Sequence, residues 1–342
     1  MLFSPSLSVA ILGALSLLPT VRSSPLQSLS EQSLNKRISF EGSTSITLAL
    51  NADFPDPAFV QHTDGSWYAF GTNGNGKRIQ VAHSTDFVSW NLLDVEALPT
   101  LSGWETEPDH WAPDVFKRSD GKYVMYYSAI VSSNPNRHCI GVAIADSTNP
   151  AGPYIPTSTN NPLACPLEQG GAIDANSFQD SDGTRYILYK IDGNSVGHGG
   201  DCNNSIEPLA ATPIMLQRLS EDGVTPVGDA VQLIDRDASD GPLVEAPSLV
   251  RAGDGTYLLF YSTHCFTDVK YDVRVATASS ITGPYSKNGV SVLASNDQLY
   301  GPGGATILND GNMLFHGWCN GNSVRCMYAA HMDVSGGSPF VE

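Results

Sequence analysis

The chain has 342 residues and a charged fraction of 15%, with 32 glycines and 22 prolines, which is the composition of a globular protein long enough for one large domain. Its formal net charge of −17 argues against nucleic acids and anionic membranes as partners, because both are polyanions. A neutral polymer suits this charge better.

An apolar run lies at the N-terminus, within residues 2–21, and two serines at which a signal peptidase could cut follow it. We predict a signal peptide over residues 1–23. A membrane anchor is the alternative, but the run is short for one, and Pro5 and Pro19 interrupt it. No later stretch is long and apolar enough to span a bilayer, so the sequence predicts a secreted, extracellular protein with no membrane partner.

A stretch rich in Ser, Gln and Leu comes next and ends in the dibasic pair Lys36-Arg37. Proteases of the secretory pathway cleave after such pairs, so residues 24–37 are predicted to be a propeptide. The mature protein is then residues 38–342, which we predict to be a single domain.

An Asp-Gly turn followed by a run of alternating aromatic and aliphatic residues recurs five times, at intervals of about 55 to 72 residues. The copies begin at Asp64, Asp120, Asp182, Asp254 and Asp310. Asp-Gly between two strand-like runs predicts a β-hairpin, since glycine tolerates the positive φ that a type I′ turn requires. Each copy therefore predicts one hairpin.

A second, weaker repeat follows four of these turns and predicts a third strand in each unit. Its copies begin at Gln80, Gly141, Arg274 and Met327. Helical periodicity is nearly absent. Five hairpin-bearing units favour radial repetition over a β-sandwich, whose strands would not show this longer period. We predict an all-β fold, a single five-bladed β-propeller domain, with Thr44–Ala49 as the strand that closes the ring.

A cluster flanked by proline or glycine opens the strand before each turn, and in four of the five units it contains an acid. The acids are Asp56, Asp114, Asp174 and Glu245, and the fifth cluster is Gly301-Pro302-Gly303-Gly304. The first strand of every propeller blade lines the central channel, so equivalent positions on these strands predict one shared pocket. The alternative is that the acids are turn residues with their side chains in water. That alternative does not explain why they recur at the head of apolar strands.

Carboxylates gathered in a partly desolvated pocket cannot all ionise at low cost, because like charges raise the pKa of at least one of them. A protonated acid beside an ionised base is the pair that glycoside hydrolysis requires. Acids on non-adjacent blades suit the separation of about 6.5 to 9.5 Å that an inverting enzyme uses to admit a water molecule. The acids therefore predict an inverting glycosidase.

The cysteines are even in number, as expected for disulfides in a secreted chain. They are Cys139, Cys165, Cys202, Cys265, Cys319 and Cys326. Six cysteines allow fifteen pairings, of which we predict only Cys319 with Cys326, because their spacing suits neighbouring strands of a hairpin. A zinc site is disfavoured, since no Cys-x-x-Cys pair occurs.

Three of the acidic clusters resemble, in the same order, the catalytic motifs of glycoside hydrolase family 43, whose members are five-bladed propellers. The resemblance covers residues 53–339. Phe54-Pro55-Asp56-Pro57 is similar to the motif of the general base, which implies that Asp56 deprotonates the attacking water. Ile173-Asp174-Ala175 is similar to the motif of the residue that adjusts the pKa of the acid and orients it. Glu245-Ala246-Pro247 is similar to the motif of the general acid, which implies that Glu245 protonates the leaving oxygen.

The resemblance also implies contacts to substrate and metal. Trp111 is predicted to stack on a sugar, with packing inside its blade as the alternative, and Asp114 is predicted to be a substrate or structural contact. Asn176 and Arg325 are predicted to bind substrate. His316 is similar to the channel histidine that binds a hydrated calcium ion in many members; a core histidine bonded to backbone is the alternative. We predict no required cofactor beyond this structural calcium.

Two features separate the chain from its relatives. Gly304 stands where many members have a histidine, so the nearby subsite is expected to differ. The Arg-Asp-Pro and Glu-Cys motifs of the related fructan-hydrolysing propellers, which use an Asp nucleophile, are absent. This absence disfavours a retaining mechanism.

The resemblance implies a hydrolase of arabinose-containing plant cell-wall polysaccharide, arabinan or arabinoxylan, acting as an α-L-arabinofuranosidase or an arabinanase. We expect a polysaccharide or oligosaccharide partner and a monomeric protein. A β-xylosidase of the same family is the alternative. A non-catalytic carbohydrate-binding propeller is an alternative of another class, which the complete trio of acids disfavours. The longest interval between turns contains His198–Cys202, the predicted wall of the pocket.

Overall fold

The computed structural model describes residues 37–39, 45–158 and 160–342, so the predicted signal peptide and nearly all of the predicted propeptide lie outside the described residues. Five antiparallel sheets form five blades, connected by loops and a few short 3₁₀ turns. The prediction of an all-β, five-bladed propeller is confirmed. In this described part of the chain, no helix has the length and apolar character needed to cross a membrane.

The strands follow one another along the chain in blade order. Two come first, β1 (Arg37–Ser39) and β2 (Ser45–Leu50). Blade 1 consists of β3 (Ala58–Gln61), β4 (Trp67–Gly71), β5 (Gln80–Ser84) and β6 (Asn91–Leu92). Blade 2 consists of β7 (Glu105–Lys117), β8 (Tyr123–Val131), β9 (Asn134–Ala145) and β10 (Tyr154–Pro156).

The remaining blades have the same antiparallel order. Blade 3 consists of β11 (Ala172–Gln179), β12 (Arg185–Ile191), β13 (Ile214–Leu219) and β14 (Val231–Ile234). Blade 4 consists of β15 (Val244–Arg251), β16 (Tyr257–Thr263), β17 (Asp272–Ala278) and β18 (Ser286–Leu293). Blade 5 contains β19 (Tyr300–Ile307), β20 (Asn312–Cys319), β21 (Val324–Asp333) and the short β22 (Phe340–Val341). The 3₁₀ turns are Leu167–Gln169, Gly193–Val196, Asp201–Asn203 and Ala238–Asp240.

The N-terminal strand β2 closes the ring, because it completes blade 5 beside β21, with Thr47 opposite Ala329. The prediction of a closing strand in this segment is confirmed, with bounds shifted by one residue. β1 pairs with β2 from Arg37 onward, so cleavage after Arg37 would fall inside this outermost strand. The domain boundary at residue 38 stays a prediction.

The five Asp-Gly turns join the first and second strands of the blades. Their glycines, Gly65, Gly121, Gly183, Gly255 and Gly311, have φ values of 85 to 90°. At each turn the aspartate accepts a hydrogen bond from the backbone N–H two residues on, at 2.8 to 3.0 Å. This contact stabilises the turn, so one repeated local signal produces all five hairpins.

The hydrophobic core lies between neighbouring blades. One cluster joins blades 4 and 5 and includes Phe260 and Phe315; another joins blades 1 and 2 and includes Phe70 and Tyr127. All four side chains are fully buried. Burial of an apolar side chain of this size stabilises the fold by about 1.5 to 3 kcal/mol. This packing fixes the inner strands relative to one another.

Three disulfides cross-link the described residues. The bonds are Cys139–Cys165, Cys202–Cys265 and Cys319–Cys326. The predicted pairing across the hairpin of β20 and β21 is confirmed. The second bond joins a loop of blade 3 to a loop of blade 4. No cysteine of the described residues is free, which leaves none among them for a zinc site.

Candidate active site

The inner strands of blades 2 to 5 are each interrupted by a bulge at the same place. The first residue inside each bulge has a left-handed φ: Ala112 (42°), Asp174 (59°), Ala246 (49°) and Gly304 (57°). Asp56, with φ of 54°, occupies the corresponding place before β3. These five residues all line the narrow central channel, so they are structurally equivalent. Bulges of this kind re-aim side chains next to active sites.

The positions of the four acids in the inner strands differ from those expected from their distance to each Asp-Gly turn. Asp56 and Asp174 occupy the equivalent position, whereas Glu245 lies one residue before it and Asp114 two residues after it. Successive strand residues point to opposite faces, and a bulge adds one residue to the count. The four acids therefore do not point in one direction, which counting along the sequence could not detect.

Asp56, Asp174 and Glu245 nevertheless line one pocket, with a volume of about 560 Å³. They come from blades 1, 3 and 4, so the propeller brings together three carboxylates that are far apart in the chain. The residues of the described chain that line this pocket do not include Asp114. The expected convergence holds for the trio and not for the fourth acid.

Asp56 is fixed by three neighbours. Thr72 donates a hydrogen bond from Oγ1 to Oδ2 at 2.6 Å, Nδ1 of His316 lies 3.2 Å from Oδ1, and Nη1 of Arg325 lies 3.7 Å from Oδ1. Desolvation alone would raise the pKa of Asp56, but the charge of Arg325 and the contacts of His316 and Thr72 outweigh it and hold the pKa well below its usual range. Asp56 is therefore a carboxylate at neutral pH, the form that a general base requires.

Asp174 lies beside both Glu245 and a buried lysine, Lys190. Its Oδ2 accepts a hydrogen bond from the backbone N–H of Ala246 at 3.0 Å. Desolvation and, second, the negative charge of Glu245 raise the pKa of Asp174 to about 8, although Lys190 opposes them. The Asp174–Glu245 pair therefore keeps one proton at neutral pH.

Glu245 accepts a hydrogen bond on each carboxylate oxygen. Tyr271 donates from its hydroxyl to Oε1 at 2.8 Å, and Nζ of Lys190 donates to Oε2 at 3.0 Å. Neither partner was predicted from the sequence. The available signal for Lys190 was a lysine inside the otherwise apolar strand Ile187-Leu188-Tyr189-Lys190-Ile191.

A ring of hydrogen bonds ties the bulges together. In four blades, a side chain on or next to the second strand accepts a bond from the N–H of the equivalent bulge residue in the following blade. The pairs are Thr72 with Ala112 (2.9 Å), Ser128 with Asp174 (3.2 Å), Ser262 with Gly304 (3.1 Å) and His316 with Asp56 (3.1 Å). Lys190 occupies this ring position in blade 3, opposite Ile173.

Trp111 lines the pocket and stacks on His138, with ring centroids 3.7 Å apart and an interplanar angle of 22°. The indole is partly exposed, so it offers an aromatic surface to the pocket. Burial and, second, the nearby His110 lower the pKa of His138 to about 4. The stacked pair is therefore uncharged at neutral pH.

Asp114 and Asn176 join neighbouring blades. Oδ2 of Asp114 accepts a hydrogen bond from the N–H of Ser177 at 2.7 Å, and Oδ1 of Asn176 accepts one from Leu249 at 3.1 Å. Burial raises the pKa of Asp114 to about 6, against the hydrogen bonds from Ser177. Neither residue is among those that line the pocket of Asp56, Asp174 and Glu245 in the described chain. The observed contacts of both residues are structural. For Asp114, a structural contact was one of the two roles predicted from the sequence.

One wall of the pocket comes from the long loop between β12 and β13. Its lining residues from this loop are Asp192, Asn194, Ser195, Cys202 and Asn203. The Cys202–Cys265 disulfide ties the loop to the blade 4 loop that carries Phe266. The guanidinium of Arg325 lies 4.8 Å from the centre of the Phe266 ring, so Arg325 faces both this wall and Asp56.

His316 is fully buried, and its Nε2 has no hydrogen-bond partner among the described residues. Burial lowers the pKa of His316, so the ring is neutral. When Nδ1 accepts from the N–H of Asp56, Nε2 carries the proton and can donate to water; when Nδ1 carries it, Nε2 is free to bind a metal ion. An unpaired buried ring nitrogen fits a single protein ligand to a hydrated ion. The described residues contain no cluster of three or more His, Cys, Asp or Glu that could bind a metal directly.

Gly304 fits closely against His316 and Asp56. A Cβ atom at Gly304 would lie 2.6 Å from Nδ1 of His316 and 2.8 Å from Oδ1 of Asp56. A larger residue at position 304 would therefore displace one of these two side chains.

Known proteins resemble this chain in sequence and in fold. The family model described as Glycosyl hydrolases family 43 matches residues 49–326. The chain is 28% identical over 315 residues to an extracellular endo-alpha-(1->5)-L-arabinanase 1 of Bacillus subtilis, covering 85% of this chain and 88% of the relative. It is 30% identical over 283 residues to a probable arabinan endo-1,5-alpha-L-arabinosidase C of Aspergillus oryzae, covering 76% and 80%.

Solved structures give the same result. The native Bacillus subtilis arabinanase Arb43A superposes with a TM-score of 0.62 at 26% identity, covering 85% of this chain and 98% of that one. A thermostable family-43 glycoside hydrolase superposes with a TM-score of 0.70 at 25% identity, covering 86% and 96%.

Proposed function

Because the chain belongs to glycosyl hydrolase family 43 and is therefore a glycosidase, we propose that it is a secreted hydrolase that cleaves α-1,5-linked arabinan with inversion of configuration. The observation that carries this proposal is the convergence of Asp56, Asp174 and Glu245 in one pocket of about 560 Å³. Relatives named as arabinanases, which cover most of this chain, support arabinan over other pentose polymers.

Asp56 acts as the general base in this proposal. Its neighbours keep it ionised, so it can take a proton from a water molecule as that water attacks the anomeric carbon. Arg325, 3.7 Å from the same carboxylate, is positioned to hold both the base and a sugar hydroxyl. Attack from the face opposite the leaving group inverts the anomeric carbon.

Glu245 acts as the general acid, with its proton supplied by the Asp174–Glu245 pair. The single proton that the pair keeps at neutral pH is donated to the departing glycosidic oxygen. The charge of Glu245 acts on Asp174, and the N–H of Ala246, the residue next to Glu245, anchors Asp174; in this proposal Asp174 orients the acid and holds the proton of the pair. The stacked face of Trp111 provides a surface for a sugar ring.

The pH dependence of kcat/KM is expected to have its alkaline limb near pH 8. The pKa of Asp174 is raised to about 8, so the pair keeps its proton below that pH and loses it above. The pKa of Asp56 is lowered, so the base stays ionised in mildly acidic solution. We therefore expect no acid limb of the profile between about pH 5 and about pH 7. Initial rates on arabinan from about pH 3 to about pH 10 give this profile. An alkaline limb centred below about pH 6 would contradict the assignment.

A hydrated calcium ion in the channel would be held by Nε2 of His316. Such an ion supplies positive charge near the base and favours its ionised form. The tautomer that frees Nε2 carries its proton on Nδ1, beside Oδ1 of Asp56. Both the charge of the ion and the tautomer of His316 would therefore affect the position and charge of the Asp56 carboxylate.

Secretion is supported by three features of the chain. They are the apolar N-terminal run, the three disulfides, and relatives named as extracellular. Disulfides persist in oxidising compartments and are rare in the cytosol.

A substrate panel tests the proposed function. Release of reducing ends is measured on linear arabinan, branched arabinan, arabinoxylan and xylan, together with aryl α-L-arabinofuranoside and aryl β-D-xyloside. We expect the highest kcat/KM on linear arabinan. Preference for xylan or the xyloside identifies a xylosidase instead, and no hydrolysis with saturable binding of arabinan identifies a carbohydrate-binding propeller.

A further inference from the structure

The ring position in blade 3 is occupied by a residue that cannot accept a hydrogen bond. Lys190 is fully buried, with none of its side chain exposed, and it takes the place that Thr72, Ser128, Ser262 and His316 hold in the other blades. An ammonium group has three donors and no acceptor. The ring pattern is therefore broken at this blade alone.

Because Lys190 cannot accept, the backbone amide of Ala246 in the next blade has a different hydrogen-bond partner. By the pattern of the other blades, the N–H of Ala246 would donate to the ring residue of blade 3. It donates instead to Oδ2 of Asp174 at 3.0 Å. Replacement of an acceptor by lysine thus directs one oxygen of Asp174 to a fixed backbone donor.

Lys190 also contacts the general acid directly. Its Nζ donates to Oε2 of Glu245 at 3.0 Å and lies 3.4 Å from Oδ1 of Asp192. Asp192 is itself buried, and this oxygen has no hydrogen-bond partner among the described residues, so the ammonium is its nearest compensating charge. A buried lysine between two carboxylates carries its charge, because three nearby acids raise its pKa although burial opposes them.

We propose that Lys190 is a positioning residue for the general acid: it fixes the carboxylate of Glu245 and limits the Asp174–Glu245 pair to a single proton. This inference rests on the proposed function. Two adjacent carboxyls in a desolvated pocket without a cation would favour protonation of both. The ammonium offsets part of that cost, so one carboxyl stays ionised and the shared proton can be lost and regained at moderate pH.

Charged and titratable groups face the pair from every blade around the pocket. They are Asp56, Arg325 and His316 on the base side, Tyr271 on Glu245, and Lys190, Asp192 and Arg137 on the wall side. Of these, Lys190 is the cation in hydrogen-bond contact with the pair. Arg325 acts on Asp56, and Arg137 acts on Asp192.

Two variants with opposite expected effects test the proposal. Lys190→Met removes the cation, so the alkaline limb of kcat/KM should move up by about one pH unit or more. Loss of the contact to Glu245 should lower kcat by about 10- to 100-fold. Asp192→Asn removes an anion and keeps the shape of the side chain, so the limb should move down, toward neutral pH.

Ser262→Ala is the matched control. It removes a buried hydroxyl of the same ring, which accepts from the N–H of Gly304 at 3.1 Å and also contacts Tyr271, and it removes no charge. Its alkaline limb should stay at the wild-type pH. If Lys190→Met and Ser262→Ala both lower activity and neither moves the limb, Lys190 is only structural and the proposal fails.

The proposal can still be tested if a variant does not fold or if the chain hydrolyses no arabinan. If Lys190→Met does not fold, Lys190→Gln, which keeps a hydrogen-bond donor and removes the charge, decides: an upward shift of the limb supports the proposal, and an unmoved or downward limb overturns it. The ¹³C carboxyl signal of Asp174, assigned by its loss in Asp174→Asn, is titrated in wild type and Lys190→Gln. A higher midpoint in Lys190→Gln supports the role of Lys190 even if the chain hydrolyses no arabinan, a result that would reject the proposed function alone. An unchanged midpoint overturns the role whatever the activity.

Discussion

Asp56→Asn is expected to lower kcat on linear arabinan by about 10² to 10⁴-fold. The amide cannot take a proton from the attacking water, whereas the carboxylate of Asp56 is kept ionised by Arg325, His316 and Thr72. Asparagine is also the replacement that tolerates the left-handed backbone at this position, where φ is 54°, so the strand and the pocket should keep their shape. Initial rates at saturating substrate measure the effect.

Thermal unfolding of Asp56→Asn is the control for this result. A Tm within a few degrees of wild type shows that the loss is chemical, because a single kcal/mol moves the Tm of a domain this large by only about 2 to 4 °C. KM should change less than kcat, since Asp56 acts on the water. Activity within about threefold of wild type would remove Asp56 from the mechanism.

Glu245→Gln should cost a comparable factor on arabinan, about 10² to 10⁴-fold in kcat, because the departing oxygen is no longer protonated. Glutamine keeps both observed contacts: its carbonyl oxygen can accept from Lys190 while its amide donates to the hydroxyl of Tyr271. The pocket geometry is therefore expected to survive.

The leaving group gives a control within the same variant. An activated aryl arabinoside, such as a dinitrophenyl derivative, departs without protonation, so Glu245→Gln should lose less than about tenfold on it. Asp56→Asn should lose activity on both substrates alike, since water must still be activated. If Glu245→Gln loses the same factor on both, the residue is not the acid.

The fold could be predicted from the sequence because its signal is local and repeated. Each Asp-Gly turn needs only a glycine with positive φ and an aspartate that accepts from the amide two residues on, and all five turns show both. Alternation of aromatic and aliphatic residues then supplies the strands. Five such units leave few other architectures.

The acidic residues of the candidate site could be predicted from the sequence, but their register in the inner strands could not. Asp56, Asp174 and Glu245 could be identified because each opens an inner strand, but the bulges place Glu245 one residue off from the other two. A bulge depends on pairing with the neighbouring strand, so one strand's sequence does not reveal it. Asp114 shares the sequence pattern and still lies outside the pocket, bonded to Ser177 of the next blade.

Lys190 and Tyr271 illustrate what sequence cannot supply. Each reaches Glu245 from a different strand or loop, Lys190 from the second strand of blade 3 and Tyr271 from the loop just before β17. Such contacts depend on how neighbouring blades are set around the channel. A buried lysine could be noticed in the sequence, but its partner could not be deduced.

The anomeric configuration of the first product tests the central claim most directly. Linear α-1,5-arabinan is hydrolysed in a ¹H NMR tube, and the anomeric signals are recorded before mutarotation equilibrates them. A base and an acid on opposite sides of the scissile bond predict that the β-anomer appears first. First appearance of the α-anomer would mean a covalent intermediate on one of these carboxylates, and Asp56 could not then be the base that activates water.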